Sequence, residues 1–383
     1  MSIALLPERA VVAAALALAG VPAMADDFVP NDVLVCPAAA DIVDPEIEPG
    51  GSGMVFNTTT GELRVTSIRP DGTFGTGGCK GALIDTGAIT KMPDVPFGQG
   101  AEWARSQAGT EIVYTKRMPD GSSAMWRAWR NGGVWETAMM TAGQTRGMPM
   151  ASTDATDPQY RLKYLRRLAS GKHLPMWREN ELPETETAWR AQGNDASAGV
   201  PRWIPGLRAL TTASTDSGGY AQAARYWLDT REIEILTSDP SNKDEIWMWQ
   251  APEFGNEYVF ATIVDVCCIK IYRQIGGAWT PVHTIDARAF AGKPGVYSPE
   301  PWVYNGRSYL AMQVGTSKSS LSDIWVASID PAQPMYRKIS DSVIDTVRYE
   351  PEWFDTPDGP VVFFSQYTST GKSSLRRAVT GIR

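Results

Sequence analysis

The chain has 383 residues, 43% of them hydrophobic and 21% charged, and beyond its start no apolar run is long enough to span a bilayer, which excludes a disordered or a membrane-spanning protein. Its 36 basic and 43 acidic residues leave a net charge of −7 with no Lys/Arg cluster, which argues against nucleic acid as a partner. His173 and His283 are the only histidines, so histidine-rich metal sites are excluded and both read as surface or packing residues.

Residues 1–25 read as an export signal. Arg9 precedes the apolar stretch Ala10 to Val21, and Ala23-Met24-Ala25 supplies small residues at the cleavage position. At ~1.5 Å per residue that stretch is too short to cross a membrane. The expected mature domain is residues 26–383, periplasmic or secreted. In that oxidising setting Cys36 and Cys79 are the natural disulfide pair. The adjacent Cys267 and Cys268 read as two small strand residues on opposite faces, with a vicinal disulfide as the alternative.

An internal repeat organises the rest. Pro-Glu stands just ahead of a strand-like run at Pro252-Glu253, Pro299-Glu300 and Pro351-Glu352, and these glutamates are 47 and 52 residues apart. Earlier copies of this slot fall at Asp44-Pro45-Glu46, at Glu102 before Trp103, at Ser152 by period alone, and at Arg202 in Pro201-Arg202-Trp203. A second marker, Met125-Trp126, Met176-Trp177, Tyr226-Trp227, Ile271-Tyr272 and Ile324-Trp325, keeps the same phase. Between markers lie Gly-rich hairpin turns such as Gly132-Gly133 and Gly276-Gly277.

Repeats of about 45–50 residues holding several short strands predict an all-β chain folded as a single β-propeller. Blade starts near residues 46, 102, 152, 202, 253, 300 and 352 give seven blades, with six or five left open by the irregular first blade and the polar stretch Glu179 to Gly199. The last unit is short, and the N-terminal strand around Phe28 to Cys36 is expected to complete it and close the ring.

Two resemblances follow. The run Pro351-Glu352-Trp353-Phe354-Asp355-Thr356-Pro357-Asp358-Gly359 with Val361 to Phe364, and Glu102-Trp103 with Glu111 to Tyr114, resemble the W-x-P-D-G-x-x-I-x-F blade motif of TolB-like propellers. This chain departs from that motif by placing Glu before the tryptophan. Ser298-Pro299-Glu300-Pro301-Trp302 followed by Asn305-Gly306-Arg307-Ser308-Tyr309-Leu310 is similar to a motif of secreted arabinanase-like glycosidases, and Asp44-Pro45 matches their early Asp-Pro. That resemblance implies carboxylates presented to a central pocket by inner strand ends.

Glycoside hydrolysis needs a carboxylic acid and a second carboxylate roughly 5–9.5 Å apart. If the slot faces the channel, Glu46, Glu102, Glu253, Glu300 and Glu352 form an acidic ring whose mutual repulsion raises some pKa values. Glu300, Glu253 and Asp44 are then the candidate catalytic residues. Arg202, Glu46, Glu102, Glu352 and the off-pattern tryptophans Trp247, Trp249 and Trp302 are candidate binding residues. No resident cofactor is expected, although a calcium ion could sit in the channel on oxygen ligands. The repeated glutamates have an equally simple structural explanation, as acceptors for turn N–H groups. No G-x-S-x-G elbow, phosphate loop or dinucleotide fingerprint is present. Two readings stay open: a glycoside hydrolase, or a non-catalytic TolB-like propeller, a monomer that binds a periplasmic protein or a glycan.

Overall fold

Paired residues with positive φ make the tightest hairpins. Gly132-Gly133 (φ 55° and 90°) joins Ser123–Asn131 to Val134–Met139, and Asn305-Gly306 (φ 48° and 73°) joins Gly295–Tyr304 to Arg307–Gly315. Left-handed backbone at both central positions matches the right-handed twist of the flanking strands. Chains of such hairpins give seven antiparallel sheets in the computed structural model, which describes residues 28–35, 42–75, 78–92, 98–141, 145–180, 182–189, 201–341, 346–368 and 373–383. The sheets are the blades of one propeller. The proposed export signal and Cys36 lie outside the described residues, so the Cys36–Cys79 pairing does too.

Apart from the last, each blade runs from the channel outwards in sequence order. Blade one is Ile42–Ile47, Gly53–Thr58, Glu62–Ser67 and Ala82–Thr86; blade six is Gly295–Tyr304, Arg307–Gly315, Ser322–Ser328 and Tyr336–Lys338. Two blades are irregular on the channel side. In blade two, Ala88–Ile89 and Glu102–Ser106 both pair with Gly109–Arg117, so an excursion interrupts the inner strand. In blade four the inner strand shrinks to the single bridge between Trp203 and Leu210.

Blade seven is composite, as expected from its short final repeat. Thr346–Thr356, Gly359–Thr368 and Ser373–Val379 come from the C-terminal end, and Val33–Leu34 adds the outermost strand with Val33 opposite Arg377. The ring is closed by pairing its two chain ends. Asp32, its side chain fully buried, anchors this seam by accepting from Arg376 Nε and from the Asp341 backbone N–H.

Blades hold together face to face. Between blades five and six, Val259, Ile271, Leu310, Met312 and Trp325 form one buried cluster, each large side chain contributing roughly 1.5–3 kcal/mol. The repeat-phase tryptophans Trp177 and Trp325 are buried in such interfaces. His283 likewise packs there, its Nε2 within 3.1 Å of the Tyr336 hydroxyl. Among the described residues no helix is long and apolar enough to cross a membrane.

Cys267 ends the turn after Glu257–Val264, and Cys268 begins the next strand, Cys268–Ile275. The two therefore do not alternate across one strand, as the sequence reading had them, because the turn takes up the first of the pair.

Candidate functional site

A local backbone device builds the channel wall. Five inner strands carry a β-bulge, with register slipping between Val43 and Glu46, Gly147 and Met150, Asp244 and Trp247, Tyr297 and Glu300, and Tyr349 and Glu352. Within each bulge one residue has positive φ: Asp44 (53°), Met148 (57°), Glu245 (46°), Ser298 (46°) and Glu350 (57°). Each such residue costs on the order of 1 kcal/mol in strain. Four of the five are followed by proline, Pro45, Pro149, Pro299 and Pro351, whose missing N–H suits a residue left out of the ladder. The bulge turns two side chains per strand toward the axis. Asp44 with Glu46, Glu245 with Trp247, Ser298 with Glu300 and Glu350 with Glu352 all line axial cavities.

Bulge geometry fixes which residue fills each slot, and it corrects the phase read from the sequence in two blades. The slots are Glu46, Glu102, Met150, Arg202, Trp247, Glu300 and Glu352. In blade three Met150 takes the place assigned to Ser152, whose hydroxyl instead accepts from the Arg161 N–H inside the blade. In blade five Trp247 takes the place assigned to Glu253. That glutamate sits in the short 3-10 turn Pro252–Phe254, its two oxygens accepting from Ser308 N (2.9 Å) and Ser308 Oγ (3.0 Å) of the next blade. Trp249 Nε1 donates to the same hydroxyl at 3.1 Å. The structure therefore keeps Glu253 away from Glu300, while Asp44, Glu46, Glu102, Arg202, Glu300 and Glu352 meet in the channel.

Tryptophans following the slot staple neighbouring blades. Trp103 Nε1 donates to Glu46 O (3.0 Å), Trp203 Nε1 to Met150 O (3.1 Å) and Trp353 Nε1 to Glu300 O (2.9 Å). Each bond spans one blade interface and ends on a slot carbonyl. Trp353→Phe keeps the ring but orphans that buried carbonyl, and thermal or urea denaturation is expected to show a loss of about 1–3 kcal/mol.

Two cavities meet at this level. One, of about 620 Å³, has polar walls that include Asp44, Glu245, Glu350, Lys318, Tyr349 and Tyr367. The other, of about 380 Å³, is walled by Trp203, Trp247, Trp249, Trp302 and Trp353. Both are lined by Glu46, Glu102, Met150, Arg202, Glu300 and Glu352, which form the waist between them. Trp302 stacks on Trp353 with ring centres 6.4 Å apart and donates to Asp355.

The waist is short of positive charge. Arg202 stacks over Trp247 at 4.2 Å and lies 3.6 Å from Glu300 Oε1. Lys318 bonds Glu245 at 2.7 Å, and Gln99 Nε2 donates to Glu102 Oε1 at 2.9 Å. Burial, against the pull of Arg202, pushes the Glu102 carboxyl up to about 7 and that of Glu300 up to about 8. Burial and the neighbouring carboxylates raise Glu46 and Glu352 well above the usual range. Buried Lys163, paired across the ladder with Met150, is pushed down to about 7 by burial and by Arg202. Neutral carboxyls can thus donate and accept hydrogen bonds here at neutral pH. Among the described residues no three carboxylate, histidine or cysteine side chains converge as metal ligands.

Sequence reasoning missed Glu245, Glu350, Met150, Lys163 and Lys318. The first two carried a signal, since they occupy the same place relative to the slot as Asp44 does. Lys318 reaches in from a loop of another blade, which no spacing reveals.

No protein-family model and no curated protein matches the chain. Solved structures do. The β-propeller domain of Swd1 (Cps50) from Myceliophteria thermophila is 8% identical, with a TM-score of 0.55, over 91% of this chain and 100% of that one. The chain is a seven-bladed β-propeller. The β-propeller domain of the Trilobed protease from Pyrococcus furiosus, described as having an open velcro topology, is 12% identical with a TM-score of 0.50, covering 88% and 95% of the two chains. A putative TolB from Agrobacterium tumefaciens aligns at 16% identity and a TM-score of 0.40, over 64% of this chain and 81% of that one. These likenesses are of fold alone.

Proposed function

We propose that the protein is an exported, non-catalytic binding propeller whose ligand occupies the axial channel, resting on the tryptophan-lined mouth and reaching the carboxyl waist. One observation carries this reading: a cavity lined by carboxyls and a cavity lined by tryptophans share the same six-residue waist, so one ligand can meet flat apolar faces and hydrogen-bonding carboxyls together. Export rests on the charged, apolar and small-residue pattern of residues 1–25. Hydrolysis by paired carboxylates is the second reading, favoured by the Glu300 pKa of about 8, which suits an acid catalyst. It ranks lower because Glu253 is engaged at a blade interface and the neighbouring Glu46, Glu102 and Glu352 are raised as well. A base or nucleophile must be ionised, and burial works against ionisation at each of these waist carboxyls, Glu102 at about 7 coming nearest to that part.

The test is a titration of the purified chain with a panel of oligosaccharides and peptides, followed by indole emission and, in the same tubes, by product release. A binding propeller gives a saturable emission change with at least one ligand, weakened about tenfold or more in Trp302→Ala, and no product. Product release abolished in Glu300→Gln would establish the hydrolase instead. Absence of any saturable change across the panel would remove the channel as the binding site.

A further inference from the structure

We propose that the channel ligand is an organic cation, a linear polyamine whose ammonium groups meet the carboxyl waist while its methylene segments lie against the tryptophans of the mouth. This rests on the channel being the binding site and names what it selects. Three observations support it.

The first is charge. Among the described residues, seven carboxyl side chains line the polar cavity against two cationic ones, Arg202 and Lys318. Those cations are committed to Glu300 and Glu245, while Glu46 and Glu352 have no ion-pair partner among the described residues. The Glu350 carboxyl is held near the Ser365 hydroxyl and the Asp44 N–H, yet its Oε2 is buried without a close donor among the described residues. A buried acceptor left in that state costs about 1–3 kcal/mol, more when charged, so the site favours a donor that brings positive charge. The second is shape. Among the described residues no three carboxylates converge on a point, and the seven are spread along the channel, which suits an elongated cation better than a single metal ion. The third is a precedent inside the molecule. The Arg202 guanidinium already sits 4.2 Å above the Trp247 ring with Glu300 at its edge, which is the cation–π and carboxylate pairing that an incoming ammonium would make with the other indoles.

Protons and the cation compete for the same oxygens. Glu300 faces Arg202, Glu245, Glu102 and Lys318; Glu102 faces Arg202, Asp44, Lys163 and Gln99; Glu46 and Glu352 face each other and both of these acids. Glu102 and Glu300 give up their protons as pH rises through about 7 and about 8, and Glu46 and Glu352 are raised in the same direction, whereas an alkylammonium stays charged from pH 6 to pH 8. Binding must therefore release protons and tighten as pH rises.

Calorimetry and indole emission with spermidine, in 150 mM salt, test this. Spermidine is expected to bind saturably, with affinity rising about tenfold or more from pH 6 to pH 8. At pH 7 the observed heat should differ between Tris and phosphate as protons are released. Glu300→Gln and, separately, Glu350→Gln should each weaken binding several-fold, and 1,8-octanediol, with hydrocarbon but no charge, should not bind. The proposal falls if octanediol binds as well as spermidine, if magnesium chloride displaces spermidine at equal charge concentration, or if wild-type affinity is flat or falls with rising pH. The wild-type pH series decides the matter even if a variant misfolds. A neutral sugar or peptide that quenches the indoles where spermidine does not would overturn the cation while leaving the channel as the binding site.

Discussion

Asp32→Ala is expected to lower the free energy of unfolding by about 3–5 kcal/mol, the cost of removing one partner from a buried, hydrogen-bonded charge pair. The aspartate has no exposed side-chain surface and accepts from both Arg376 and the Asp341 N–H; Arg376 also reaches Asp341 at 3.2 Å. Alanine leaves Arg376 Nε and the Asp341 N–H without their acceptor at the seam where the chain ends meet, the rest of the guanidinium keeping Asp341 and the residue-32 carbonyl. The melting temperature should drop by on the order of 10 °C, whereas Val29→Ala, at a position 77% exposed, should leave it unchanged. A drop of no more than about 2 °C for Asp32→Ala would mean that Val33–Leu34 is not what closes the ring. Because blades support each other only through neighbours, opening one seam exposes two faces, and cooperative loss is the expected form of unfolding.

The second large effect is on the pH dependence of stability. Glu102 and Glu300 are raised in the folded chain to about 7 and about 8 from ordinary values near 4.5. The folded state therefore holds more protons than the unfolded state between those limits. Stability is full below about pH 4.5 and is lost as pH rises through 7 and 8, the reverse of the usual carboxylate case. Lys163, lowered to about 7 from 10.5, works in the opposite sense, regaining stability from about pH 7 upwards. Melting temperatures should fall by several degrees between pH 5 and pH 8, with Lys163 opposing the loss from about pH 7 upwards. Glu300→Gln should remove much of that slope and raise the melting temperature at pH 8. Arg202→Met should steepen it, since Arg202 holds both Glu102 and Glu300 down, with little change at pH 5. A melting temperature that climbs steadily from pH 5 to pH 8 would refute the buried acidic waist.

The architecture was largely legible because propeller repeats leave marks of two kinds, turn residues at fixed offsets and aromatic residues at interfaces. Those marks repeat with every blade, so one ambiguous copy does little harm. The slots were legible only where proline, slot residue and tryptophan agreed. Ser152 was placed by period alone, and the true slot, Met150, follows a proline two residues earlier than the count implied. Glu253 follows a proline as well, but that proline starts a 3-10 turn after the inner strand, and nothing in Pro-Glu distinguishes the two settings. The clearer signal was the residue two before the slot, which is acidic at Asp44, Glu245 and Glu350. The bulge that brings such a residue into the channel is a backbone event, invisible to a pattern that assumes strict alternation. Trp247, Trp249 and Trp302 line one cavity, and each lies close to an inner-strand bulge in sequence.

The indole bonds between blades end on the backbone of the slot residue and ignore its side chain. Trp103, Trp203 and Trp353 grip the carbonyls of a glutamate, a methionine and another glutamate with equal success. Framework and chemistry are thereby uncoupled: the diameter of the ring is set by atoms every residue possesses, and its lettering is free to change. A single codon can recharge the channel without disturbing the blades, so this propeller could be retuned from anionic to neutral or cationic, slot by slot, on an unaltered frame.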